Sequence, residues 1–288
     1  PTNKIRLPVD KENVIKSGIV KEKDRDKIVD FIDIDLPESI LTKNQIMMLD
    51  ILANNNWERP IYFTGGSYED SEYIWMKNYL QLDGLVYKLV PIKTSIDANP
   101  YEMGRIDSDL MYNIVKKWSW GNSESDKIYH DPETRKNSIS FRSNLSRLSE
   151  VLISEGKFKE AEEIIDLAFS KMPIDYYGYY SLWTPFIQGY YKIGRDDKAK
   201  EIFKKISFKY SDKLNYYSSL EIYNQYDVGE EIIADIERFR NLIETAQNSG
   251  EKEILSDQIK SFIASSEKFN YIYGCLLYTS DAADEVVS

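Results

Sequence analysis

Histidine and cysteine, the side chains most used for nucleophilic catalysis and zinc binding, are almost absent from this chain. It has one histidine, His130, and one cysteine, Cys275. A zinc site would therefore rest on carboxylates, a donor set that suits zinc poorly. His130 stands directly before Asp131-Pro132-Glu133, which reads as a helix N-cap followed by Pro at the first helical position, and that neighbourhood is its plainer explanation. Thr64-Gly65-Gly66 closes a short strand. Backbone N–H groups gather in such a turn and suit a phosphate or another small ligand. A lone Gly-Gly lacks the longer glycine spacings of nucleotide-binding loops, so an ordinary tight turn explains it better. Glu58-Arg59, before Pro60, reads as a surface ion pair or loop anchor. Acid–base catalysis needs paired carboxylates, whereas the acids here are scattered among lysines on helix faces. No catalytic residue is assigned, and no metal or cofactor is implied.

Tyrosine stands out, with 22 residues that cluster as Tyr176-Tyr177-Gly178-Tyr179-Tyr180, Tyr190-Tyr191 and Tyr216-Tyr217. A tyrosine offers a flat apolar face and a hydroxyl, which suits packing on a sugar ring or an extended peptide. Tyr190 falls at a core position of a repeat described below. Tyr176, Tyr177, Tyr179 and Tyr180 fall in a linker between helices, where some must face outward. The expectation is that they and Trp183 border a binding groove.

The elements that would position these residues divide the chain in two. Ile28 to Leu36 alternates as a strand, with Ile28, Ile32 and Ile34 on one face and Val29, Phe31 and Asp33 on the other. Lys43 to Asn56 reads as a helix capped by Thr42, stopped by Asn54-Asn55-Asn56, with Ile46, Leu49, Leu52 and Ala53 as its apolar side. Pro60 to Thr64 and Leu85 to Ile92 read as strands. Ser71 to Leu82 reads as a helix with Gly84 beyond its end as a C-cap. This order predicts a small α/β unit over residues 1–95 with a parallel crossover. In the second region, residues 96–274, Asp97-Ala98-Asn99-Pro100 reads as a linker-like turn and everything from Asp107 to Tyr273 as helices. Asp107 or Ser108 caps a helix containing Leu110, Met111, Ile114 and Val115, and Asp131 caps a long one containing Ser138, Phe141, Leu145, Leu148 and Leu152. The predicted fold class is α+β, mostly α.

Composition excludes several classes. With 13 Gly, 9 Pro and one Cys in 288 residues, the chain is neither collagenous nor disulfide-knotted. A net charge of -11 argues against nucleic acid as a partner. No segment approaches the roughly 20 consecutive apolar residues of a membrane-spanning helix.

An internal repeat with an offset of 38 residues aligns Gly156-Lys157-Phe158-Lys159-Glu160-Ala161 with Gly194-Arg195-Asp196-Asp197-Lys198-Ala199. The match extends to Leu145 with Trp183, Leu148 with Phe186, Leu152 with Tyr190, Ile165 with Phe203 and Ala168 with Ile206. Small Gly and Ala let two helices approach, large residues interlock, and Pro173 ends the second helix. The pattern resembles the tetratricopeptide repeat. A third hairpin is expected over Glu230 to Phe269, with Ile232, Ile233, Ile236, Phe239 and Ile243 on one face.

Longer stretches are more specific. The run Leu49-Asp50-Ile51-Leu52-Ala53-Asn54-Asn55-Asn56-Trp57-Glu58-Arg59-Pro60-Ile61-Tyr62-Phe63-Thr64, then Tyr79 to Leu85, Lys88 to Ile92, Asp109 to Asn113, Trp118 to Gly121 and Phe141 to Leu148, resembles the C-terminal region of the domain-of-unknown-function 2723 family. These are protein O-mannosyltransferase-like membrane proteins, also grouped as glycosyltransferase family 117. The resemblance implies a parent in the bacterial inner membrane, a polytopic half carrying the catalytic acid and using a lipid-linked sugar donor, and an extracytoplasmic (periplasmic) C-terminal half. This chain would then be a non-catalytic region that holds an acceptor protein or peptide. The alternative is an envelope scaffold for protein–protein interaction with no transferase activity. A third reading, a free-standing small-molecule enzyme at Thr64 to Gly66, would require a deep polar pocket with clustered acids. The chain opens at Pro1 without a targeting segment, and residues 275–288, from Cys275 to Ser288, read as translated adapter sequence outside the natural chain.

Overall fold

In the computed structural model, residues 4–36, 40–64, 75–94, 103–249 and 255–272 are described, with the side chains of the last segment described from residue 257. The fold is α+β with helices predominating, as the sequence predicts. Two compact units form: residues 1–122 with 143–155, and residues 123–142 with 156–288. No helix among the described residues is long and apolar enough to cross a membrane.

Among the described residues, the first unit holds two antiparallel sheets. Strand β1 (Lys4–Pro8) pairs with β2 (Phe31–Asp35), and helix α1 (Lys11–Lys16) lies between them in the chain. The predicted alternation of β2 is observed: Ile32 and Ile34 are buried, while Phe31, Asp33 and Asp35 face solvent. On that outer face Arg6 donates to both carboxylate oxygens of Asp33, at 2.7 and 3.1 Å. Helix α2 (Lys43–Asn54) ends at the Asn run, as expected. A capping box explains its start, since the Gln45 Oε1 accepts from the Thr42 N–H at 2.8 Å. That bond carries Gln45 inward, and the predicted apolar side is displaced: Leu52 is buried, but Ile46 is 54% exposed and Ala53 lies at the surface.

The second sheet corrects two expectations. Strands β3 (Tyr62–Thr64), β4 (Leu80–Asp83) and β5 (Val86–Leu89) run in the order β3-β5-β4, all antiparallel, so the described strands form no parallel crossover. A two-residue turn, Gly84-Leu85, joins β4 to β5, and such a connection permits only antiparallel pairing. Gly84, at φ +74°, serves this turn and is no helix C-cap. The predicted helix over Ser71 to Leu82 is replaced, within its described part, by a turn, a 3-10 segment (Lys77–Tyr79) and β4. Every residue of β4 is buried, and a strand covered on both faces carries no alternation to distinguish it from a helix. Helix α3 (Ser108–Val115) packs on β4 and is capped as expected by Asp107, whose carboxylate accepts the Leu110 N–H at 3.0 Å. Helix α4 (Pro132–Ser154) begins in the second unit and ends in the first. In the first, Asn144 donates to the Gly84 carbonyl at 2.8 Å and Arg147 to that of Gly104 at 2.7 Å.

The second unit is helical. Its members are α5 (Phe158–Lys171), the single turn α6 (Ile174–Tyr177), α7 (Thr184–Lys192), α8 (Asp196–Ser219), α9 (Ile222–Asp227), α10 (Gly229–Asn248) and α11 (Leu255–Ser266). Helix α7 packs on α5 and α8, and α8 packs on α10 and α11, which also pack on each other. The 38-residue offset is expressed as equal burial: Ala161 and Ala199, Ile165 and Phe203, and Ala168 and Ile206 are all fully buried. Gly156 and Gly194 share φ +73°, each ending a helix before the next begins. Ile232, Ile236, Phe239 and Ile243 of α10 are buried as expected.

Candidate functional site

The tyrosine run occupies a bent connection. Helix α6 stops at Gly178, whose φ of +62° suits a residue without Cβ. Tyr179 follows in the left-handed region at φ +47°, a conformation that costs a bulky residue about 1 kcal/mol or more. Arg142, fully buried on α4, holds this bend by donating through Nη1 to the Gly178 carbonyl at 2.8 Å and to that of Tyr179 at 3.4 Å. Its Nη2 donates to the Ser138 hydroxyl at 2.8 Å, and its guanidinium lies 5.2 Å from the Trp183 ring centroid and 5.8 Å from that of Tyr179. Burial lowers its pKa to about 10, so it stays cationic at neutral pH.

A cavity of about 460 Å³ opens beside the bend, within the usual size of a small-ligand site. Tyr177, Tyr179, Tyr180 and Tyr210 contribute aromatic walls, and Arg135, Lys213, Asp235 and Arg238 contribute charge. Two helical spacings create the charged side. Tyr210 and Lys213 are three residues apart on α8, as are Asp235 and Arg238 on α10, so each pair shares a face. The Asp235 side chain is buried and binds Lys213 at 2.5 Å and Arg238 at 2.9 Å. Burial alone would lower the Lys213 pKa, but its bond to Asp235 prevails and raises it. Arg135 has no such acid: its Nε is buried without a partner among the described residues. Tyr210 is also buried, edge-on to Tyr180 and stacked on Phe239. Its hydroxyl has no hydrogen-bond partner among the described residues, an omission worth about 1–3 kcal/mol. Burial, reinforced by the charge of Asp235, raises the pKa of this phenol and keeps it neutral.

The five tyrosine-run candidates have separate places. Tyr177, Tyr179 and Tyr180 line the cavity. Tyr177 is nonetheless largely buried, and its hydroxyl donates to the Ser123 carbonyl at 3.0 Å. Tyr176 stacks on His130 at 5.2 Å between ring centroids. Trp183 is fully buried against Phe169 at 4.3 Å and against Phe186. His130 is held by the Ser125 carbonyl at 2.9 Å from Nε2, beside the Asp131 cap. Of the ligand-turn candidates, Thr64 ends β3 at the surface, and Gly65 and Gly66 lie outside the described residues. Sequence reasoning missed Arg135, Tyr210, Lys213, Asp235 and Arg238. The i, i+3 spacings were available, but nothing in sequence placed the three helices around one space.

The first unit holds another buried polar group. The Lys88 ammonium pairs with the Asp83 carboxylate at 3.0 Å, both side chains about 95% buried, and the Gln81 amide donates to Asp83 at 2.8 Å. Arg105 links Gln81 to Asp24, which also binds Lys27. Opposite charges in this cluster offset one another beside β4 and β5, a structural role for groups that would be costly alone.

Among known families, a model described as TMEM260-associated domain 2 matches residues 1–110. No curated protein and no solved structure matches the chain. The matched segment lies in the first unit, and the residues that line the cavity lie in the second.

Proposed function

We propose that this chain is the extracytoplasmic, non-catalytic region of a membrane-bound protein O-mannosyltransferase-like glycosyltransferase, and that its helical part holds the acceptor polypeptide. The match of residues 1–110 to TMEM260-associated domain 2, a family related to O-mannosyltransferase-like proteins, carries the reading. The resemblance of the segments between Leu49 and Leu148 to domain of unknown function 2723 supports it. In this account the periplasmic region has a tetratricopeptide-like helical array, and a membrane half of the parent binds the lipid-linked donor and performs the transfer. The aromatic cavity supports acceptor holding, because tyrosines present large, rigid, amphipathic contact area.

Purified chain supplied with a lipid-linked mannosyl donor and acceptor peptide is expected to transfer no sugar, while the membrane-embedded parent transfers it. Turnover by the purified chain, or a gene encoding no multispan membrane segment, would overturn the proposal. The second reading, an envelope scaffold, draws on the paired burial of the 38-residue repeat. It predicts partner capture without any dependence of glycosylation on the gene.

A further inference from the structure

The described lining of the cavity carries three cations, Arg135, Lys213 and Arg238, and one carboxylate, Asp235, an excess of positive charge that favours an anionic ligand. Lys213 and Arg238 both engage Asp235, leaving Arg135 as the cation with no acid partner among the described lining residues. A guanidinium donates two parallel hydrogen bonds to a carboxylate. A carboxylate needs only the unpaired Arg135 guanidinium, whereas the second charge of a phosphate dianion would have to draw Lys213 or Arg238 away from Asp235. The chain's net charge of -11 repels polyanions in general, so any anion is selected by this local cation. The buried hydroxyl of Tyr210 supplies one more unsatisfied group, able to donate to or accept from a ligand amide.

We propose that this cavity binds the carboxylate of an acidic peptide segment, with Arg135 as its ion-pair partner and Tyr210 as a hydrogen-bonding partner to the adjoining main chain. Tyr179 and Tyr180 flank the bound segment with their rings. The peptide as carrier of the carboxylate rests on the acceptor role proposed above; the binding test uses no sugar donor, so a parent without transferase activity would leave its outcome intact.

Calorimetric titration of the full chain with the capped peptide acetyl-Gly-Gly-Glu-Gly-Gly-amide tests the site, using the Gln peptide, glucuronate and inorganic phosphate as comparison ligands. The Glu peptide is expected to bind about tenfold or more tightly than the Gln peptide, and Arg135→Gln to abolish that preference. Tyr210→Phe, which keeps the ring and its packing, is expected to weaken both peptides alike. Equal affinity of the unmodified chain for the two peptides would overturn the proposal without relying on any variant. So would absence of peptide binding, a Glu preference surviving in Arg135→Gln, or uptake of glucuronate or phosphate in place of the peptide.

Discussion

Arg142 is fully buried, yet oxygen dipoles and ring faces surround its guanidinium, with no carboxylate among its described partners. A buried cation is tolerated only where hydrogen bonds replace its water, and here those bonds also fix the bend of Tyr179. Asp107 shows the opposite arrangement, a buried carboxylate served by cations. Burial tends to raise its pKa, but the Leu110 N–H and the Lys21 ammonium at 3.0 Å outweigh that and hold it below the ordinary carboxylate value. Its ionised form is therefore favoured in the folded state. That stabilisation is complete above an unfolded pKa of about 4 and disappears as pH falls through the folded value. Asp107→Asn retains an acceptor for the cap and removes the charge, so it is expected to cost less than about 1 kcal/mol near pH 7. Thermal melts from pH 7 to pH 3 should show the two proteins converging below about pH 4. A constant offset at every pH would show that the charge contributes nothing.

Among the elements, legibility followed exposure. Strand β2 was readable because one face meets water and Ile32 and Ile34 alternate with charge. Helices α3 and α4 were readable from their Asp caps and, for α4, from Pro at the first position. Strand β4 was misread because both faces are covered, and α2 was rotated because its capping box draws Gln45 inward. The tyrosine run marked a wall of the cavity, but the charged wall depends on how α8 and α10 pack, which their spacings alone do not specify. The repeat permits a direct comparison between elements. Gly156 and Gly194 share φ +73° and open space where a Cβ would stand. Gly156→Ala and Gly194→Ala should each cost about 1–2 kcal/mol from backbone strain, by matched amounts. Gly84→Ala should cost more, because its Cβ would also lie 3.1 Å from Ile114 and 3.2 Å from Trp118. Denaturant unfolding of the three variants checks the ranking, and an equal loss in all three would contradict it.

At the scale of the whole molecule, the family match and the cavity lie in different units, so the proposed acceptor-holding role can be tested by substitution in the helical unit alone. Steady-state mannosyl transfer by the proposed membrane-bound parent carrying Tyr179→Gly tests this assignment most directly. Glycine relieves the left-handed strain and removes the ring, so the melting temperature should not fall. The account predicts a KM for the acceptor polypeptide raised about tenfold at unchanged kcat, as expected when uniform binding is lost. A fall in kcat at constant KM, or transfer indistinguishable from that of the unaltered protein, would contradict it.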